Sequence, residues 1–158
     1  MNISQVSHVA IGVRDMARAL AFWRNFLGLE VAVDHEEKWD HAGVHRRAVY
    51  LRWRSGVGAS YVVLAVDLNR EPWGEPARLN QVGIHHFAFD VDDVDAYAAR
   101  AKELGVTFAS RVYDYDAELS GEPGGGQIRT VLLQDPDGTY VQLHQWLALH
   151  PPAAHRES

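Results

Sequence analysis

Along residues 5–13 the chain alternates in twos. Val9, Ile11 and Val13 fall on one side of an extended segment, and His8, Ala10 and Gly12 on the other. The period changes at Asp15, a residue type that suits a helix N-cap. Met16, Ala19, Leu20, Trp23 and Leu27 then recur at helical spacing, and Gly28 stands where that helix should stop. Strands are expected over 29–35, 46–53 and 60–66. The succession then starts again. A strand is expected over 84–91 and a helix over 93–104, with Val94, Tyr97, Ala98, Ala101 and Leu104 as its apolar stripe. Strands follow at 106–112, 128–134 and 139–146, the last two joined by the tight-turn sequence "DPDG" at 135–138.

The recurrence is an internal repeat. His8 and His86 lie 78 positions apart, as do Asp15 and Asp93, whereas Gly28 and Gly105 lie 77 apart. Tyr61 and Tyr140 open matching fourth strands, "YVVLAV" and "YVQLHQ". Each copy reads βαβββ, so the expected fold class is α+β, with one module over 5–66 and a second over 83–146. Residues 67–82, with two prolines and no clear period, read as a linker, and 147–158 as a loose tail, all within a single domain of 1–158. The Gly- and acid-rich stretch 114–127 reads as a long hairpin connection, a lid or a solvent loop.

Composition narrows the class. The 158 residues are 47% hydrophobic and 23% charged, enough for a sizeable core, and the net charge is -6 with pI ≈ 5.8. An acidic chain without a basic cluster argues against nucleic acid as a partner. The absence of cysteine excludes disulfides, thiolate metal sites and a Cys nucleophile. No apolar run approaches the roughly 20 residues that span a bilayer, and the first residues do not read as a secretory signal. A cytoplasmic protein without membrane contact is the expectation.

The alternation also sorts chemistry by face. His8 and His86 each have small neighbours on their own side, Ala10 and Gly12 for one and Ala88 for the other. His85 falls on the bulky side with Phe87 and Phe89, which favours His86 as the site residue. Tyr140, Gln142 and His144 share a side of the last strand, as Tyr61, Val63 and Ala65 do in the matching one. If both modules turn these sides toward one cavity, His8, His86 and Gln142 converge with Val63 opposite. Two imidazoles and an oxygen donor suit Fe(II), Mn(II), Ni(II) or Zn(II) and leave positions open for substrate. A strand histidine that is simply hydrogen-bonded in the core is the competing reading. Tyr61 and Tyr140 are candidate hydrogen-bond donors to substrate. Arg111, Tyr113 and Tyr115 flank the long connection and would suit an anionic or aromatic ligand, or else a solvated strand end. His35, His41 and His45 in "DHEEKWDHAGVHRR" show no metal spacing and read as a solvated loop and strand edge.

Three stretches, "SHVAIGVRDMARALAFWRNFLGLEV" (7–31), "GIHHFAFDVDDVDAYAARAKELGV" (83–106) and "VLLQDPDGTYVQLHQW" (131–146), resemble the vicinal oxygen chelate superfamily. That group includes glyoxalase I, methylmalonyl-CoA epimerase, fosfomycin resistance proteins, extradiol dioxygenases and bleomycin resistance proteins. The resemblance covers nearly all of 5–146. It implies curved, open barrel-like sheets built from βαβββ modules, with a divalent metal held by the first and fourth strands of each. The matching positions here are His8, Val63, His86 and Gln142. The two His agree with the pattern. Val63 replaces a ligand and cannot bind a metal, which places it instead among the substrate-contacting residues with Tyr61, Arg111 and Tyr113. Gln142 replaces the usual Glu. It remains an oxygen donor, but it cannot shuttle a proton, which leaves His144 as a substitute base with Tyr140 beside it. The implied function is a metal-dependent enzyme on a small oxygenated molecule, either dioxygenase-like or of the lyase/isomerase type. The alternative is a metal-free small-molecule binding or resistance protein. A homodimer is the expected assembly, since many members of the superfamily dimerise.

Overall fold

The computed structural model describes residues 2–56, 58–122 and 125–149. Contacts divide the chain into two units, residues 1–75 and 76–158. Each is a mixed α+β module.

The first unit runs β1 (His8–Gly12), α1 (Met16–Leu20), a π-helical segment (Ala21–Phe26), β2 (Glu30–Trp39), β3 (Val44–Arg52) and β4 (Tyr61–Asp67). Its sheet order is β1-β4-β3-β2, so the first strand pairs with the last, in parallel, and the others are antiparallel. A parallel pair needs a crossover, and the helix supplies part of it. Asp15 caps the helix, its carboxylate accepting from the backbone N–H groups of Ala17 and Arg18 at 2.8 and 3.0 Å. Met16, Ala19, Phe22, Trp23 and Phe26 are buried on the helical segment. Ile11, Val49, Leu51, Val62 and Leu64 are the buried residues of one sheet face, and register places them side by side, Val49 opposite Leu64 and Leu51 opposite Val62.

The second unit repeats the plan as β5 (His86–Asp90), α2 (Val94–Glu103), β6 (Thr107–Phe108), β7 (Tyr113–Asp116), β8 (Gly126–Gln134) and β9 (Tyr140–Leu149). Its sheet order is β5-β9-β8-β6, with β7 also on β8. Again the first strand lies parallel to the last. Asp93 caps α2 through Ala96 N–H, and Gln145 of β9 accepts from Val94 N–H at 3.0 Å. Val94, Ala98 and Ala101 of α2 are buried, as are Val131, Leu133, Val141 and Leu143 of the sheet. No helix among the described residues is long and apolar enough to cross a membrane.

The one-residue difference between the repeats has a structural cause. From capping Asp to terminal Gly, the first helix is one residue longer than the second. The first module takes up that residue as a π-helical turn, with Leu27 N–H donating to Phe22 C=O five residues back. α2 has no such turn. Both helices still end on a glycine in the left-handed region, Gly28 at φ 80° and Gly105 at φ 68°.

Three expectations change. β2 does not stop at 35 but runs to Trp39, and β3 starts at 44, so much of the charged stretch expected as a solvated loop is paired strand. The strand expected over 106–112 is two residues long, and a separate strand, β7, pairs Tyr113–Asp116 with β8. The long connection expected over 114–127 is therefore shortened by β7 and by a 3-10 turn over Ala117–Ser120. Cross-strand charge pairs, which carry no apolar period, stabilise the added strand residues: Arg46 with Glu37, and Arg129 with Asp114.

Trp23 has 0% exposure. Trp23→Ala is expected to lower the unfolding free energy by about 3–5 kcal/mol, read as a fall in the urea midpoint followed by circular dichroism.

Candidate functional site

Each sheet has a helix-covered apolar face and an opposite face on which polar residues gather. In the first unit, register places His8 beside Tyr61, then Ala10, Val63, Tyr50 and Val33 in one row, and Gly12, Ala65, Ala48 and His35 in the next. The small residues Ala10, Gly12, Ala48 and Ala65 leave room for the larger rings. The His8 ring stacks on Tyr61, with centroids 5.0 Å apart and planes within 9°. Tyr61 in turn lies 5.5 Å from Tyr50. His8 is exposed, whereas Val63 is buried at 3% exposure and offers only methyl groups.

Tyr50 leads to a group that the sequence pattern did not reveal. Glu37, on β2, is buried. It accepts from Tyr50 Oη at 2.5 Å, from Arg46 Nε at 2.7 Å, and pairs with His35 Nε2 at 3.2 Å. Burial pushes its carboxyl pKa up, but the bonds from Tyr50, Arg46 and His35 outweigh that and hold it below the usual value. Glu37 in turn raises the Tyr50 phenol. The Arg46 guanidinium also lies over the Trp39 ring, 4.7 Å from its centroid. The available signal was the alternation Val33, His35, Glu37 facing Arg46 across the sheet. It is polar in its second half and so carries no apolar period.

In the second unit, register places His86 beside Tyr140 and Gln134, Ala88 beside Gln142 and Leu132, and Asp90 beside His144 and Thr130. Tyr113 pairs with Thr130, and the Tyr115 ring meets His144 edge-on at 6.0 Å. Arg111 is exposed and precedes β7; Tyr113 is 42% exposed on it. His85 does not take the bulky side with Phe87 and Phe89 as expected. It lies just outside β5, and its ring stacks on His86 at 4.7 Å. Burial, followed by the neighbouring His85, pushes the His86 pKa down. Burial also lowers His144, helped by His86 and opposed by Asp90. Both rings are therefore shifted toward the neutral form. His144 Nε2 is buried with no hydrogen-bond partner.

The two repeat-equivalent histidines share a local device. Ser7 Oγ lies 2.8 Å from His8 Nδ1, and His85 Nδ1 lies 2.7 Å from His86 Nδ1. In each case the residue just before the histidine engages Nδ1. Either atom of each pair can be the donor; in the tautomer with the proton on Nδ1, Nε2 keeps its lone pair, as in a metal-binding imidazole oriented by a neighbour. Gln142 Nε2 donates to Thr130 Oγ1 at 3.0 Å, which leaves the amide oxygen Oε1 as its acceptor. An imidazole nitrogen and an amide oxygen are each donors that a borderline divalent cation accepts. Among the described residues no group of three or more His, Cys, Asp or Glu is placed to hold a metal ion.

A family model for the Glyoxalase/Bleomycin resistance protein/Dioxygenase superfamily matches residues 5–143, and the chain belongs to that superfamily. It is 33% identical over 153 residues to an ethylmalonyl-CoA/methylmalonyl-CoA epimerase of Cereibacter sphaeroides, covering 90% of this chain and 98% of the relative. Its fold is similar to that of a glyoxalase family protein from Bacillus cereus, with TM-score 0.74, 17% identity, and 94% and 97% of the two chains covered. The fosfomycin resistance protein FosX of Listeria monocytogenes, solved with Mn(II) and sulfate, is similar with TM-score 0.56, 20% identity, and 91% and 93% covered.

Glu37→Gln is expected to cost about 2 kcal/mol at neutral pH, the scale of hydrogen bonds to a charged group. The folded pKa of Glu37 lies below its ordinary 4.5. Its contribution is thus full above that value and is lost as pH falls through the lower folded pKa. The gap in urea midpoint between wild type and variant should narrow below about pH 4.5 and stay constant above pH 6.

Proposed function

We propose that this chain is a metal-dependent enzyme acting on a small oxygenated molecule, with His8 and His86 binding through Nε2 and Gln142 through Oε1. The observation that carries this reading is the pair of engaged Nδ1 atoms at repeat-equivalent positions. A histidine held only by packing has no need of the same Nδ1 contact at the same place in both modules. When bound, a divalent metal supplies Lewis-acid polarisation to neighbouring substrate oxygens.

The residues around it favour isomerase-type chemistry over ring cleavage. His144 shares the face of Gln142, is shifted toward the neutral form by burial, and has an unpartnered Nε2. In this reading it takes a proton from carbon next to a carbonyl, the role that Gln142 cannot fill. Tyr140, beside His86, donates to a substrate oxygen. The relative named as an acyl-CoA epimerase supports the same class. Tyr61 beside His8, and Arg111 and Tyr113 near β7, contact the remainder of the substrate, and Val63 limits its bulk. A metal-free binding role is the second reading, favoured by the missing ligand at Val63.

Protein purified without chelator and reconstituted with Mn(II), Ni(II), Zn(II) or anaerobic Fe(II) should hold about one equivalent of metal by mass spectrometry. His8→Ala and His86→Ala should each drop below about a tenth of that, while His41→Ala retains it. Metal bound equally by all three variants, or by none of the proteins including wild type, sinks the metal reading. Solvent deuterium incorporation into a panel of α-substituted carbonyl compounds reports the reaction class. His144→Ala should lower that exchange by about 10²–10⁴-fold while leaving metal content intact.

A further inference from the structure

Thr130 explains why a glutamine can serve at this position. Its side chain is fully buried on β8, directly across from His144. Its hydroxyl donates to the backbone C=O of Leu143 at 2.8 Å. A hydroxyl has one proton, so toward Gln142 it can only accept. The neighbouring end of the Gln142 side chain must therefore be the NH₂, at 3.0 Å. The opposite flip would set Oε1 against an oxygen with no proton left to give. Amide orientation is thus decided by a buried threonine one strand away, and Oε1 is turned to the free side.

We propose that Thr130 is a positioning residue for the metal: it locks the Gln142 amide so that the carbonyl oxygen, not the nitrogen, is the donor. This rests on the metal reading above and adds to it a residue outside the first and fourth strands. The lock also accounts for the tolerance of an amide here. A free glutamine side chain would sample both flips and several rotamers, losing ligand geometry and the entropy of fixing it. A carboxylate has two equivalent oxygens and gains nothing from such a clamp. At this position, a hydroxyl already committed to Leu143 would face one of those oxygens without a proton to offer.

Three proteins test it: wild type, Thr130→Val, which keeps the shape but removes the hydroxyl, and Thr130→Ser, which keeps the hydroxyl. Ni(II) affinity is read by competition with a chromophoric chelator. Thr130→Val should bind about 10–100-fold more weakly, the usual effect of removing a ligand's orienting partner, and Thr130→Ser within about threefold of wild type. A Thr130→Val protein with native circular dichroism that binds Ni(II) like wild type overturns the proposal but leaves the metal reading standing. Nickel binding absent from wild type overturns both. A second readout does not require the variant to fold. In wild type, the Gln142 side-chain NH₂ should show a nuclear Overhauser contact to Thr130, and it should persist when Zn(II) shifts the Gln142 carbonyl carbon. Loss of that contact on Zn(II) binding, or an unmoved carbonyl carbon, overturns the lock.

Discussion

Parallel pairing of the first and last strand closes each module, and the chemistry depends on it. β1 lies on β4 with His8 opposite Tyr61, and β5 lies on β9 with His86 opposite Tyr140. A parallel closure requires a crossover, and the helix in it packs over one sheet face. That face becomes the apolar core. The other is left for residues that need not be apolar, and both repeat-equivalent histidines fall on it. A slip of one residue in either pairing would turn His8 or His86 into the core and bring Val9 or Phe87 out. The capping carboxylates Asp15 and Asp93 oppose such a slip, because they start each helix at a set distance from its strand.

The two modules reach equivalent ends with unequal lengths. The additional residue in the first helix does not displace Gly28 from its terminal position, because a π turn absorbs it. The buried row Met16, Ala19, Phe22, Trp23 and Phe26 is kept in phase over the sheet. A regular α-helix of the same length would rotate Phe26 and Leu27 by about 100° relative to the core. Repeat symmetry here is conserved in the placement of side chains and relaxed in the hydrogen-bond ladder.

The polar faces of the modules differ more than their cores do. The first carries a buried carboxylate satisfied by Tyr50, Arg46 and His35, with Tyr50 touching Tyr61 and Tyr61 touching His8. Buried charge of this kind survives only when its hydrogen bonds are filled, and filling them holds the aromatic ladder beside His8. The second carries a sparser set, in which His144 buries an unpartnered nitrogen and Gln142 is tied to Thr130. The first face has its buried polar groups filled, and the second leaves one of them unpartnered.

The sequence alone determined the repeat, the α+β class, the two capped helices, and the sides of the strands on which His8, His86, Gln142 and His144 stand. These follow from local periodicity, because a period of 2 or 3.6 and a capping residue act within a few residues of chain. Tertiary structure decided what depends on partners distant in sequence. Glu37 is a buried hub only because Arg46 and Tyr50 arrive on the next strand. β7 exists only because β8 offers it an edge and an arginine for Asp114. His85 turns to the His86 ring rather than to the core because it lies before the strand begins. Gln142 acquires a direction only from the hydroxyl of Thr130. Each is a pairing of polar groups, and polar pairings leave no period in a sequence, since their energy is in the geometry of a contact and not in the side of the chain on which a residue falls.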